Sequence, residues 1–98
     1  INTGIGSVKA IETLVSMKAY PNPLNNAATL EISANHNMEA QVYLIDMTGK
    51  VVMNVWSGKL TNGINNISLD ASNLDGGIYF ARMVSAEMNK TTKLVIIK

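Results

Sequence analysis

A nucleophilic or acid–base site needs a histidine, or paired carboxylates, held beside a reactive group, and this chain holds one histidine, His36. Its setting, Ala34-Asn35-His36-Asn37, is rich in residues that bond their own backbone and reads as a solvent-exposed hairpin loop. The seven Asp and Glu residues are scattered and form no readable cluster. With no cysteine, neither a disulfide framework nor a thiolate metal site is available. Asp70-Ala71-Ser72-Asn73-Leu74-Asp75-Gly76 offers closely spaced oxygens, but a calcium loop of the EF-hand type wants oxygen ligands at its first, third and fifth positions and glycine at the sixth. Here Leu74 stands fifth and Gly76 seventh, so an Asx-stabilised crossover with Leu74 plugged into the core is expected. Asn66-Ile67-Ser68 and Asn89-Lys90-Thr91 match N-glycosylation acceptors, a pattern too short to weigh in an asparagine-rich chain. Five aromatic residues are too few, and too well placed to face a core, to make a sugar-stacking platform. The residues predict no enzyme site, no cofactor and no metal.

Charge is equally neutral about partners. Eight Lys and Arg stand against seven Asp and Glu, interspersed, which gives no electrostatic reason to expect nucleic acid or an anionic membrane. No apolar run exceeds four residues, against about 20 for a helix that crosses a bilayer.

What the chain does specify is strands. Val, Ile, Thr and Tyr recur in short runs that stop at asparagine, glycine and proline, and no window carries a period of 3.6. Seven runs are predicted: Thr13–Tyr20, Ala27–Ala34, Glu39–Met47, Val51–Ser57, Ile64–Asp70, Gly77–Ser85 and Lys90–Lys98. In the second, Ala28, Leu30, Ile32 and Ala34 alternate with Thr29, Glu31 and Ser33, the mark of a half-buried antiparallel strand. The third carries apolar residues on both parities, Val42 and Leu44 against Tyr43 and Ile45, and is expected at the centre of its sheet, covered on both sides. Between the third and fourth, Gly49 suits the positive φ of a tight hairpin. Ser57–Gly63 reads as a polar break before the fifth run. Seven short strands with turn signals every 8 to 12 residues predict an all-β, immunoglobulin-like sandwich. Without a cysteine pair, antibody domains themselves are excluded.

Ile1–Glu12 lacks alternation and bulk, and its Gly4 and Gly6 suggest a flexible linker, with a fraying first strand as the alternative, ahead of a folded unit at residues 13–98. The absence of an initiator methionine or a secretory leader at Ile1 suggests a piece of a larger polypeptide that ends at Lys98.

Ala19-Tyr20-Pro21-Asn22-Pro23-Leu24 puts two prolines around one asparagine just where the first strand stops. They fix φ near −65° and remove two backbone donors, so the strand must end and the chain can cross to Ala27. Taken with Asp46–Val52, Leu69–Met83 (which includes Gly77 and Tyr79) and Lys93-Leu94-Val95-Ile96-Ile97-Lys98, this corner resembles the type A C-terminal sorting domain of the type IX, or Por, secretion system of Bacteroidetes. The resemblance covers roughly Met17–Lys98. It implies an immunoglobulin-like fold and a role as an address label. In that family an upstream cargo domain reaches the periplasm by a signal peptide, the outer-membrane translocon recognises the folded C-terminal domain, and a surface sortase commonly removes it, leaving cargo anchored or released. The resemblance implies the same here, with residues 1–12 as the linker to the cargo. By analogy the cut would fall in or near residues 1–12. The residues it marks as signal are Pro21, Asn22, Pro23, Gly49, Gly77, Tyr79 and Lys93–Lys98.

Such a label can act as a surface. An edge strand at Lys90–Lys98 would offer unpaired backbone to a partner sheet, with Lys93 and Lys98 keeping it soluble beforehand, or Leu94 and Ile96 would simply complete the core. Exposed edges also allow strand exchange, so monomer and strand-exchanged dimer both stand open. A spacer or adhesion module of immunoglobulin or fibronectin type, and a carbohydrate-binding module, are the rival readings.

Overall fold

Alternation of apolar and polar side chains is what the backbone turns into sheet. The computed structural model describes residues 14–98, so the expected linker at 1–12 lies outside the described residues. Seven strands follow one another: β1 (Val15–Tyr20), β2 (Ala27–Ala34), β3 (Met38–Ile45), β4 (Val51–Leu60), β5 (Gly63–Asp70), β6 (Gly77–Ser85) and β7 (Asn89–Ile96). They form a three-stranded sheet, β1-β2-β5, and a four-stranded sheet, β4-β3-β6-β7, with every ladder antiparallel. This is the expected immunoglobulin-like sandwich.

The predicted alternation falls on the interface between the sheets. Leu30 and Ile32 of β2 and Ile67 and Leu69 of β5 are buried from one side, and Val42, Leu44, Ala81, Met83, Leu94 and Ile96 from the other. Each fully buried Leu or Ile contributes about 1.5–3 kcal/mol relative to exposure. Among the described residues no charged, amide or Ser/Thr side chain is buried, so the core is held chiefly by apolar contact.

β3, β5 and β7 each start one residue before the expected position, β1 is described from Val15 with the expected start at Thr13 outside the described residues, and three strand ends differ for a reason of pairing. β4 runs through the expected break at Ser57 to Leu60, because Gln41, Ala40, Glu39 and Met38 supply a continuous ladder opposite Ser57–Leu60. β3 stops at Ile45, two residues early, because the Asp46 carboxylate gathers Thr48 N, Thr48 Oγ1 and Lys50 N at 2.9, 2.6 and 3.1 Å and closes the hairpin there. β7 ends at Ile96, since Ile97 N donates outside the sheet ladder, to Leu24 O. β3 is central as expected, but its outward face is only half-covered: Tyr43 and Ile45 are partly buried, whereas Glu39 and Gln41 are exposed.

β4 is an edge strand, and its register slips twice against β3, once between Val42 and Tyr43 and once between Leu44 and Ile45. The slips break strict alternation and let Val52, Met53, Val55 and Trp56 all lean on the core. They also twist a long edge that would otherwise template another chain.

Gly49 and Gly77 adopt φ of 90° and 153°. A Cβ at Gly49 would meet nothing within 4 Å, and one at Gly77 only Tyr79 Cε1 at 3.9 Å, so the constraint is in the backbone and not in space. Gly49→Val and Gly77→Val are therefore each expected to lower stability by about 1–3 kcal/mol in chemical denaturation, with Gly→Ala costing nearly as much at either position.

Candidate functional site

Register places the marked motifs together. Ile45 pairs with Phe80, and Gly77 with Ile96, so the β3–β4 hairpin, the β5–β6 loop and the C-terminal residues project from one end of the sandwich. Ala27 pairs with Asp70, which brings the β1–β2 corner to that end too.

Pro21 and Pro23 cannot donate hydrogen bonds from their backbone, and both imide bonds that precede them are cis. The residue between them bonds through its side chain instead. Asn22 Nδ2 donates to Lys93 O at 2.9 Å, and Asn22 Oδ1 accepts from Val95 N at 3.1 Å. Leu24 then pairs by backbone: its N donates to Val95 O at 2.9 Å, and its O accepts from Ile97 N at 2.8 Å, a parallel bridge opposite Ile96. The Leu24 side chain is 1% exposed and sits in the core. On the neighbouring strand, Thr92 Oγ1 donates to Met17 O at 3.0 Å, which ties β1 to β7 across the sandwich.

This changes the expected role of the terminal strand. β7 is an edge of its sheet, as predicted, but four successive backbone groups that face away from β6, from Lys93 C=O to Ile97 N–H, are engaged with the corner. Leu94 and Ile96 are buried, Val95 is half-buried, and Lys93, Ile97 and Lys98 are exposed. Lys98 anchors as well as solubilises: its Nζ donates to Asn26 Oδ1 at 3.0 Å and to Ala71 O and Ser72 O at 3.1 and 3.5 Å.

The β5–β6 loop is held as the sequence suggests, with Asp70 Oδ1 accepting from Ser72 N at 3.0 Å and Leu74 leaning on the core. Tyr79 is buried, and its hydroxyl donates to Asp75 O at 2.8 Å, which fixes the loop against β6 just after Gly77. Hydrogen bonds from Ser72, first of all from its backbone, hold the Asp70 carboxyl below its ordinary pKa of 3.8, and Lys98 adds to the effect. Asp46 is lowered too, chiefly by the Thr48 hydroxyl and the Lys50 backbone.

The roles of Leu24, Asn26 and Asp46 escaped the sequence reading, although Leu24 and Asp46 lie within the motifs it marked. For Leu24 the signal was present, since it is the one bulky apolar residue between the prolines and Ala27. Asp46 shows the Asp-x-Thr spacing of a carboxylate that caps its own turn. His36 lies at the opposite end and is not simply solvent-facing: its Nε2 is 3.0 Å from Glu87 Oε1 and its Nδ1 3.0 Å from Asn35 Oδ1. The aromatic side chains do not converge, with Tyr20 exposed on one sheet, Tyr43 and Phe80 on the outer face of the other, and Trp56 and Tyr79 turned inward.

Residues 18–98 match the family described as a secretion system C-terminal sorting domain. No curated protein matches the chain. Among solved structures, dimeric latent PorU from Porphyromonas gingivalis aligns at TM-score 0.68 and 18% identity, over 95% of this chain and 10% of that one. An FMN-binding β-glucuronidase from Facaelibacterium prausnitzii L2-6 aligns at TM-score 0.64 and 13% identity, over 90% of this chain and 12% of that one. At these identities the likeness is one of fold, and the chain spans about a tenth of the length of each.

The lowered carboxyls carry a pH dependence. Because the folded-state pKa of Asp46 and Asp70 lies below the unfolded value, their stabilisation is complete above about pH 4 and is lost as pH falls through the folded-state pKa. The Asp46→Asn, Asp70→Asn double variant is expected to lose less melting temperature than the unmodified chain between about pH 5 and pH 2. Parallel melting curves for the two would contradict the assignment.

Proposed function

The chain belongs to the family of secretion system C-terminal sorting domains, and we propose that it is the address label by which an upstream cargo crosses the outer membrane through the type IX system. The match over residues 18–98 carries this reading, and the gathering of the marked motifs at one end of the sandwich supports it. In the proposed sequence of events the cargo waits in the periplasm with its label folded. The translocon engages the end that holds the corner and β7, and the cargo passes to the cell surface or the medium. A surface sortase then cuts in or near residues 1–12. The domain has no catalytic role of its own in this scheme; it works as a shaped surface.

Fusing residues 1–98 behind a signal peptide and a fluorescent protein tests the reading directly. In a type IX secreting bacterium, fluorescence is expected at the surface or in the medium, and in the periplasm when the translocon is disabled. Periplasmic fluorescence in both strains would favour a spacer or carbohydrate-binding module.

Deleting Lys93–Lys98 is expected to strand the cargo, but it also removes Leu94 and Ile96 from the core and so unfolds the label. Ile97→Ser separates the two effects. Ile97 is 53% exposed, so the change is expected to leave stability within about 0.5 kcal/mol while reducing delivery. Full delivery by the deletion would overturn the sorting role.

A further inference from the structure

Strand addition requires backbone donors and acceptors that point out of an edge with no partner. On β7 the outward groups belong to alternate residues, and the corner engages Lys93 C=O, Val95 N–H, Val95 C=O and Ile97 N–H in succession. The device that makes this possible is Asn22. A side-chain amide carries a carbonyl and an N–H, the same complement as a peptide group, so it can copy one step of a strand where the flanking prolines lack donors. Leu24 continues the copy with its own backbone and is pinned by a side chain in the core. Lys98 fastens the far end to Asn26, Ala71 and Ser72.

We propose that the secretion machinery reads this label with the edge closed: the recognised surface is a composite of the exposed Pro21–Pro23 corner, which the buried Leu24 anchors, and the outward side chains of Lys93, Val95 and Ile97, offered to a protein partner side chain to side chain and not as an open strand. The proposal rests on the sorting role above. An incoming strand at Lys93–Ile97 would have to break the corner's hydrogen bonds and draw Leu24 out of the core. With the corner in place, what is offered is a lysine beside an apolar strip, since Lys93 pairs with Phe80 and Val95 with Ile78 across the ladder. The fitting partner is a protein surface with an apolar patch flanked by carboxylate. Asn22 is a positioning residue: it holds the corner on the strand.

The chain has no cysteine, so an introduced pair meets no competing thiol within the domain, and the periplasm permits the disulfide to form. Leu24→Cys with Ile96→Cys joins the two residues opposed in the bridge and locks the corner down. Asn22→Leu keeps the side-chain size and removes the amide. The full 98-residue chain in the fluorescent fusion is compared as unmodified, Asn22→Leu, locked, and Asn22→Leu locked, with melting and a non-reducing gel as checks on folding and closure.

In Asn22→Leu, exchange of the Val95 amide hydrogen is expected to quicken about tenfold, the loss of one hydrogen bond of ordinary strength, and export to fall. The locked chain is expected to export as the unmodified one does, and the lock is expected to restore export to Asn22→Leu, with the melting temperatures of the four chains separating closure of the corner from the general stability that a disulfide adds. Loss of export in a folded, locked chain would overturn the proposal and show that the edge must open. So would normal export by Asn22→Leu with Val95 exchange accelerated, and that arm decides alone if the cysteine pair does not fold. An unmodified fusion that stays in the periplasm overturns the sorting role itself, and the inference with it.

Discussion

The last strand of an open sheet has peptide groups on its outer side that need partners, and here much of that need is met by a segment that prolines have largely stripped of its own donors. Pro21 and Pro23 leave the corner without two N–H groups, so the Asn22 amide and the Leu24 backbone carry the pairing with β7. Because β1 belongs to one sheet and β7 to the other, this contact is also what joins the sheets along that side, together with Thr92 and Met17. The buried Leu24 side chain makes the joint part of the core, worth about 1.5–3 kcal/mol from burial alone.

The two edges of the four-stranded sheet are guarded by different physics. β4 protects itself by irregularity: two register slips twist it, and alternation gives way to four partly buried apolar side chains. β7 stays regular throughout its ladder with β6 and is covered from outside at its C-terminal end instead, from Lys93 onward. A regular strand presents its outward side chains in a fixed row, which suits a surface that a partner must read.

Local pattern made the strands legible, and distance along the chain hid the joint. Leu30 and Ile32 announce their face by alternation with Thr29, Glu31 and Ser33, and both lie at the core. Ser57 and Gly58 look like a break because their own propensities are those of a turn, yet their ladder partners on β3 carry them into β4. The corner shows the same limit more sharply. Two prolines declare that a strand ends, but nothing near residue 22 says that its amide will meet residues 93 and 95, and only the assembled topology brings them together. Lys98 is the same kind of case, since a terminal lysine reads as a solubilising charge until the loop carbonyls of Ala71 and Ser72 are seen beside it.

The joint between residue 22 and residues 93–97 spans most of the described chain, and this gives it a meaning in time as well as space. The corner is synthesised about 70 residues ahead of its counterpart. A polypeptide that stops anywhere short of Ile96 has no bridge for Leu24, and its corner has nothing to rest on. The finished shape thus certifies that the chain has been made through its last strand, and an export system that reads that shape would reject prematurely terminated products without a separate inspection step.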